Sequence, residues 1–199
     1  MELPKTLAQR FGRPPASLDW SKAALVLIDH QREYDDGGLP LAGIKPAIAE
    51  CTALLELARR KGALVIHVQH LAPAGAPLFD SAGPFVEFIP GIGPMPGEAV
   101  VSKALPNSFA GTTLQAALAE AGCKQLVIAG FMTHMCVSTT TRAAAELGYV
   151  SWVVADACAT RDLPLPWGEA IRAADVHRAA LAELNDSFAQ VVRCTAALS

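Results

Sequence analysis

Four stretches of this chain are apolar at almost every consecutive position. Residues 24–29 read ALVLID, 64–68 LVIHV, 126–129 LVIA and 152–155 WVVA. A strand with one wet face would alternate apolar and polar side chains. Runs apolar on both faces suit a parallel sheet covered by helices on each side. Two shorter runs, 100–103 (VVSK) and 190–193 (QVVR), extend the set. Helical spacing fills the intervals. After Pro46, the residues Ile48, Cys51, Leu54, Leu55 and Ala58 fall on one helix face. Arg59, Arg60 and Lys61 then meet the negative end of the helix dipole, and Gly62 supplies the stop. Similar patterns predict helices over about 112–121, 136–147 and 167–184. Strand–helix alternation of this kind predicts an α/β domain with a mostly parallel sheet.

Two segments break the rhythm. Residues 30–44 are polar and glycine-containing, directly after the first predicted strand. Residues 71–98 hold Pro73, Pro77, Pro84, Pro90, Pro94 and Pro96 among several glycines. A connection that long suits a lid, a binding loop or an interface arm.

Composition narrows the classes. The 199 residues suit one domain over 1–199, with a core at about 20–193 and an N-terminal extension at 1–19. With 52% hydrophobic and 18% charged residues, disorder is excluded. Lys plus Arg number 16 against 19 Asp plus Glu, a net charge of −3, so a nucleic-acid partner held by phosphate neutralisation is not expected. No apolar run is long enough to span a membrane. The first residues, MELPKTLAQRFGRPP, lack the apolar core of a signal peptide, which predicts a cytoplasmic location. Cysteines stand at 51, 123, 136, 158 and 194 with no CxxC pair, so free thiols are expected.

In open α/β sheets ligands bind beyond the carboxyl ends of the strands. Asp29 follows the first strand, His70 the second, and Lys103 ends the third. Gly130-Phe131-Met132-Thr133-His134-Met135-Cys136 follows the fourth, and Asp156-Ala157-Cys158 the fifth. An acid, a base and a thiol therefore converge on one rim. At a helix start the Cys136 thiol should have a lowered pKa, since unpaired N–H groups and the dipole favour a thiolate. Asp29 could take its proton and pass it to a leaving amine. Read singly, Asp29 could instead cap a turn, Lys103 sit on the surface, and Cys136 be a small buried hydrophobe.

At these residues the chain resembles the isochorismatase-like cysteine hydrolases, the superfamily that includes nicotinamidases and N-carbamoylsarcosine amidases. The matching pieces are ALVLIDHQREY, VVSKALPNSFAGTTLQAALAEAG and GFMTHMCVSTTTRAAAELGYVSWVVADACATRD, in that order over roughly residues 20–193. The resemblance implies a three-layer αβα sandwich around a six-stranded, mostly parallel, Rossmann-like sheet. It implies a catalytic triad of Asp29, Lys103 and Cys136. It also implies a non-proline cis peptide between Phe131 and Met132, with the N–H groups of Met132 and Cys136 as an oxyanion hole. The implied reaction is hydrolysis of a small amide or carbamoyl C–N bond through a thioester, without a cofactor. Nicotinamidases hold a metal with an Asp-x-His pair. The corresponding region here offers His70 and Asp80 but no such pair, so no metal is expected.

Tyr34, His70, Phe131, His134 and Trp167 are the candidates for substrate contact. Two other readings remain: vinyl-ether hydrolysis of the isochorismatase type, for which a cysteine is not needed, and a thiol redox protein using Cys136. A noncatalytic binding domain would have no use for the three residues together. The partner expected is a small molecule. By composition and by the habit of relatives, the chain is expected to form a homo-oligomer, a dimer or tetramer.

Overall fold

A computed structural model describes residues 3–199. After a short turn of helix, α1 (Leu7–Arg10), come β1 (Ala23–Ile28), α2 (Ile44–Arg60), β2 (Leu64–His70) and β3 (Ala99–Lys103). Then follow α3 (Leu114–Glu120), β4 (Gln125–Phe131), α4 (Ser138–Glu146), β5 (Val150–Ala159), a small hairpin of β6 (Leu163–Pro164) and β7 (Ala170–Ile171), α5 (Ala173–Ser187) and β8 (Gln190–Val192). Six strands form one sheet in the order β3-β2-β1-β4-β5-β8, every pairing parallel.

Both faces of that sheet are covered, which is why its strands are apolar throughout. Leu25, Leu27, Val65, Val127 and Val154 lie in one cluster with Cys51, Leu54, Leu55 and Ala58 of α2. The alternate positions Ala24, Val26, Ile28, Ile66, Ile128 and Val153 lie in the other, with Leu114 and Leu118 of α3, Ala144 of α4 and Leu184 of α5. Successive side chains point to opposite faces, so each apolar run feeds both layers. The expected αβα sandwich and its six-stranded sheet are present. Among the described residues no helix is long and apolar enough to cross a membrane.

Two helix predictions need correction. The helix expected over 136–147 begins later, at Ser138, and Cys136 lies in a π-turn, Thr133–Val137. The helix expected from 167 begins at Ala173. Pro164 and Pro166 deny N–H groups to a helix, and the chain folds back instead, Leu165 N–H donating to the Glu169 carbonyl at 2.7 Å. Trp167 therefore stands at the tip of the β6–β7 hairpin, 71% exposed.

The order places β2 and β3 on one side of β1, and β4, β5 and β8 on the other. The chain reverses its winding between β1 and β4, and a crevice forms beyond such a switch point. The two irregular segments build its wall. Arg32 N–H donates to the Glu87 carbonyl and Ile89 N–H to the His30 carbonyl. The buried Glu33 carboxylate accepts from the N–H groups of Gly38 (2.6 Å) and Phe79 (2.8 Å). The long segment is thus fastened along residues 30–38, with Ile89 and Ile92 buried in the core.

Candidate active site

Asp29, Lys103 and Cys136 meet at the switch point. Asp29 is the residue after β1, held by its N–H to the Val68 carbonyl at 2.9 Å and by a left-handed φ of 53°. Lys103 is the last residue of β3 and pairs in register with His70, the last of β2. Register partners in a parallel pair present their side chains on one face, so both reach the same spot. Cys136 arrives from the other side through the π-turn after β4. That turn is pinned to the end of β5: Thr133 Oγ1 donates to the Ala159 carbonyl (3.1 Å) and meets His177 Nδ1 (2.9 Å), while His134 Nδ1 meets Thr160 Oγ1 (2.6 Å).

The Lys103 ammonium is the centre of the cluster. Nζ stands 2.8 Å from Asp29 Oδ2, with both side chains wholly buried. It donates to Cys136 Sγ at 3.3 Å and to His70 Nδ1 at 3.0 Å. The contact with Asp29 is electrostatic, off the direction of a good hydrogen bond, and both carboxylate oxygens lack a directed donor. Lone pairs on Asp29 are therefore free to take a proton.

Burial raises the Asp29 carboxyl to about 6, against the pull of Lys103. Burial and the Asp29 charge push the Cys136 thiol up to about 12, against the same pull. The expected lowering of the thiol pKa is overturned. Cys136 lies inside the π-turn, before the helix begins, and its 4% exposure leaves an anion little solvation. At neutral pH Asp29 is thus a carboxylate and Cys136 a neutral thiol.

Asp29, His70 and Cys136 could by spacing hold a metal ion, their ligand atoms lying within 4.8 Å of one another. The donor set does not fit one, because the Lys103 ammonium already occupies the space among them at 2.8–3.3 Å. The Phe131–Met132 peptide is cis. Among the described residues the Met132 N–H meets no protein acceptor. Phe131 and Tyr34 are buried and meet edge to face at 5.8 Å, and Phe79 extends this wall to Tyr34 (5.3 Å) and His70 (4.8 Å). Of the substrate-contact candidates, Tyr34, Phe131 and His70 belong to this cluster and wall. His134 turns instead to Thr160. Trp167 is not brought into the cluster, its Nε1 facing Glu169 in its own hairpin.

Sequence reasoning missed three supports. Gln31 clamps the β2 terminus: its Oε1 accepts from His70 N–H (2.8 Å), and its Nε2 donates to the carbonyls of His70 (2.9 Å) and Val86 (2.8 Å). Behind Asp29, His30 Nε2 meets His67 Nδ1 at 3.3 Å, and His67 Nε2 meets Glu98 Oε2 at 2.9 Å. Arg59 grips the same Glu98 carboxylate in a fork, at 2.7 and 2.8 Å, and holds its pKa down to about 2. Burial keeps both histidines neutral, so His67 donates from Nε2 to Glu98 and accepts from His30 at Nδ1. The pairing of Glu98 with a strand histidine across an irregular loop has no periodic signature. Only the polarity of His67 inside an apolar run hinted that a partner existed.

Known proteins resemble this chain over most of its length. A model of the isochorismatase domain matches residues 23–196. A secreted isochorismatase effector of Verticillium dahliae is 40% identical over 92% of this chain and 93% of its own length. A streptothricin hydrolase of Streptomyces noursei is 34% identical over 87% of this chain and 63% of its own length. A maleamate amidohydrolase of Pseudomonas putida is 29% identical over 92% of this chain and 84% of its own length. Among solved structures, an isochorismatase from Pseudomonas putida superposes with a TM-score of 0.92 at 42% identity, covering 99% of this chain and 100% of that one. The chain belongs to the isochorismatase family and is a hydrolase of α/β fold.

Proposed function

We propose that this chain hydrolyses a C–N bond of a small amide or carbamoyl compound, with Cys136 as nucleophile. The observation that carries the reading is the buried Lys103 ammonium set between a carboxylate at 2.8 Å and a thiol at 3.3 Å. Asp29 takes the thiol proton as sulfur attacks the carbonyl carbon. Lys103 offsets the negative charge that moves onto sulfur among buried side chains. The N–H groups of Met132 and Cys136 receive the oxyanion. The C–N bond breaks, the amine leaves with the proton from Asp29, and a thioester remains. Water, deprotonated by the same carboxylate, attacks the thioester and releases the acid and the thiol.

The names of the streptothricin and maleamate relatives support C–N chemistry over other hydrolysis. A vinyl-ether reading leaves the Lys103–Cys136 contact without a purpose. A redox role asks for an accessible, acidic thiol, and Cys136 is buried with its pKa raised. All five cysteines are free, which suits a reducing compartment such as the cytoplasm. The active form is a homo-oligomer in this reading, with exposed Trp167 and Ile171 available for contact.

The test is an amide and carbamoyl panel scored by amine or ammonia release, with mass spectrometry for an acyl adduct on the Cys136 peptide. Wild-type protein should turn over at least one member, and Cys136→Ala should not. Undiminished hydrolysis by Cys136→Ala, or a wild-type protein that cleaves only a vinyl ether, would overturn the proposal.

A further inference from the structure

We infer that His70 completes the active site: its Nδ1 accepts from the Lys103 ammonium and orients it, while its Nε2–H donates to an acceptor oxygen of the substrate. The inference deepens the C–N hydrolase reading and rests on it for the substrate half.

The Lys103 ammonium has three N–H donors and no lone pair. Its contact with Asp29 is short but undirected. Its directed hydrogen bonds go to Cys136 Sγ at 3.3 Å and His70 Nδ1 at 3.0 Å. His70 is thus the nearer of the two groups that fix where the N–H bonds point. Without that acceptor the ammonium is free to rotate toward Asp29 alone, and the sulfur loses its partner.

The tautomer follows. A nitrogen facing an ammonium must be the lone-pair nitrogen, so the single ring proton of neutral His70 sits on Nε2. Burial and the Lys103 charge hold the pKa of His70 down to about 4, so this form persists through neutral pH. Nε2 meets no acceptor among the described residues, and it is not enclosed. It is a donor left open on the rim of the triad.

The residue is also held as a functional group would be. Gln31 grips both its N–H and its carbonyl. Phe79 lies against its ring at 4.8 Å. Strand register sets it beside Lys103. A packing residue needs neither the two-point clamp nor a charged neighbour at hydrogen-bond distance.

Two substitutions separate the roles. His70→Asn puts an acceptor oxygen near the place of Nδ1 and removes the Nε2 donor. His70→Gln reaches the place of Nε2 with an amide N–H and loses the Nδ1 acceptor. Two readouts need no substrate: the pH profile of iodoacetamide alkylation on the Cys136 peptide, and the tautomer of His70 in long-range proton–nitrogen NMR spectra. The wild-type spectrum should show the Nε2–H form at pH 7. His70→Asn should keep the alkylation profile, and on the panel substrate should raise KM by about tenfold or more with a smaller change in kcat. His70→Gln should shift the alkylation profile and lower kcat by about a hundredfold with little change in KM.

An Nδ1–H tautomer or an imidazolium at pH 7 would overturn the inference. So would wild-type KM, kcat and alkylation in both variants, or an equal fall of kcat and KM in both together with a lowered Tm. A wild-type protein that hydrolyses no panel member removes the C–N reading and the substrate half with it. The alkylation and NMR results still decide the anchoring of Lys103.

Discussion

Gly130 gives the sharpest test of how the sheet builds the site. It pairs in register with Ile28, the residue before Asp29, and has φ +121°. A Cβ added there would lie 2.0 Å from the Ile28 carbonyl oxygen and 2.7 Å from its nitrogen. Ordinary contact needs about 3.5 Å, so β1 and β4 would have to part by roughly 1.5 Å at this point. That shift breaks about two ladder hydrogen bonds at about 1 kcal/mol each. An L-residue at such a φ adds about 1–3 kcal/mol. Gly130→Ala should therefore cost about 4 kcal/mol, which for a chain of this size lowers Tm by on the order of 10 °C. The same displacement moves Asp29 against Cys136, and a misplacement near 1 Å costs about a hundredfold in rate. Thermal unfolding followed by circular dichroism and alkylation of the Cys136 peptide measure the two effects. A Gly130→Ala protein with a Tm within about 3 °C of wild type and an unchanged alkylation rate would refute the steric argument.

Further expectations follow from the charges. Asp29 must be ionised to act as base, and its pKa is raised to about 6, so kcat/KM should fall as pH drops through about 6, read from a pH–rate profile. Lys103→Met removes the charge that lowers the Asp29 pKa, so the acid limb of any residual activity should move to higher pH. Breaking the buried pair should cost about 3–5 kcal/mol, measured by urea unfolding at pH 7. Glu98→Gln removes the negative charge, and one of the two acceptor oxygens, that Arg59 and His67 share, at about 2–4 kcal/mol at pH 7. The Glu98 pKa is lowered from 4.5 to about 2. Its contribution is therefore full above the unfolded value and lost as pH falls through about 2. Unfolding curves for the two proteins should converge at the acid end.

How much was legible in the residues can be judged element by element. Runs such as ALVLID and LVIA must be buried on both faces, and only a covered parallel sheet does that, so fold class followed from local pattern. Positions at strand ends followed too, since any parallel α/β sheet gathers them on one rim. That is why Asp29, His70, Lys103 and Cys136 could be picked out together. Local pattern failed where distant groups competed. The helix expected from 167 yields to a hairpin because two prolines and a turn bond outweigh apolar spacing.

What the sequence determined, then, is which groups are available and on which edge of the sheet they stand, because strand burial and periodicity are local properties of the chain. What the tertiary structure decided is their chemical state. The Cys136 pKa rises rather than falls, since desolvation and the Asp29 charge act through space and outweigh any helix end. The His70 tautomer is set by an ammonium 33 residues away in the chain. The partnership of His67, Glu98 and Arg59 likewise joins three segments that no sequence period connects. Electrostatic energies depend on distance and burial in three dimensions, and neither is written in the spacing of residues along the chain.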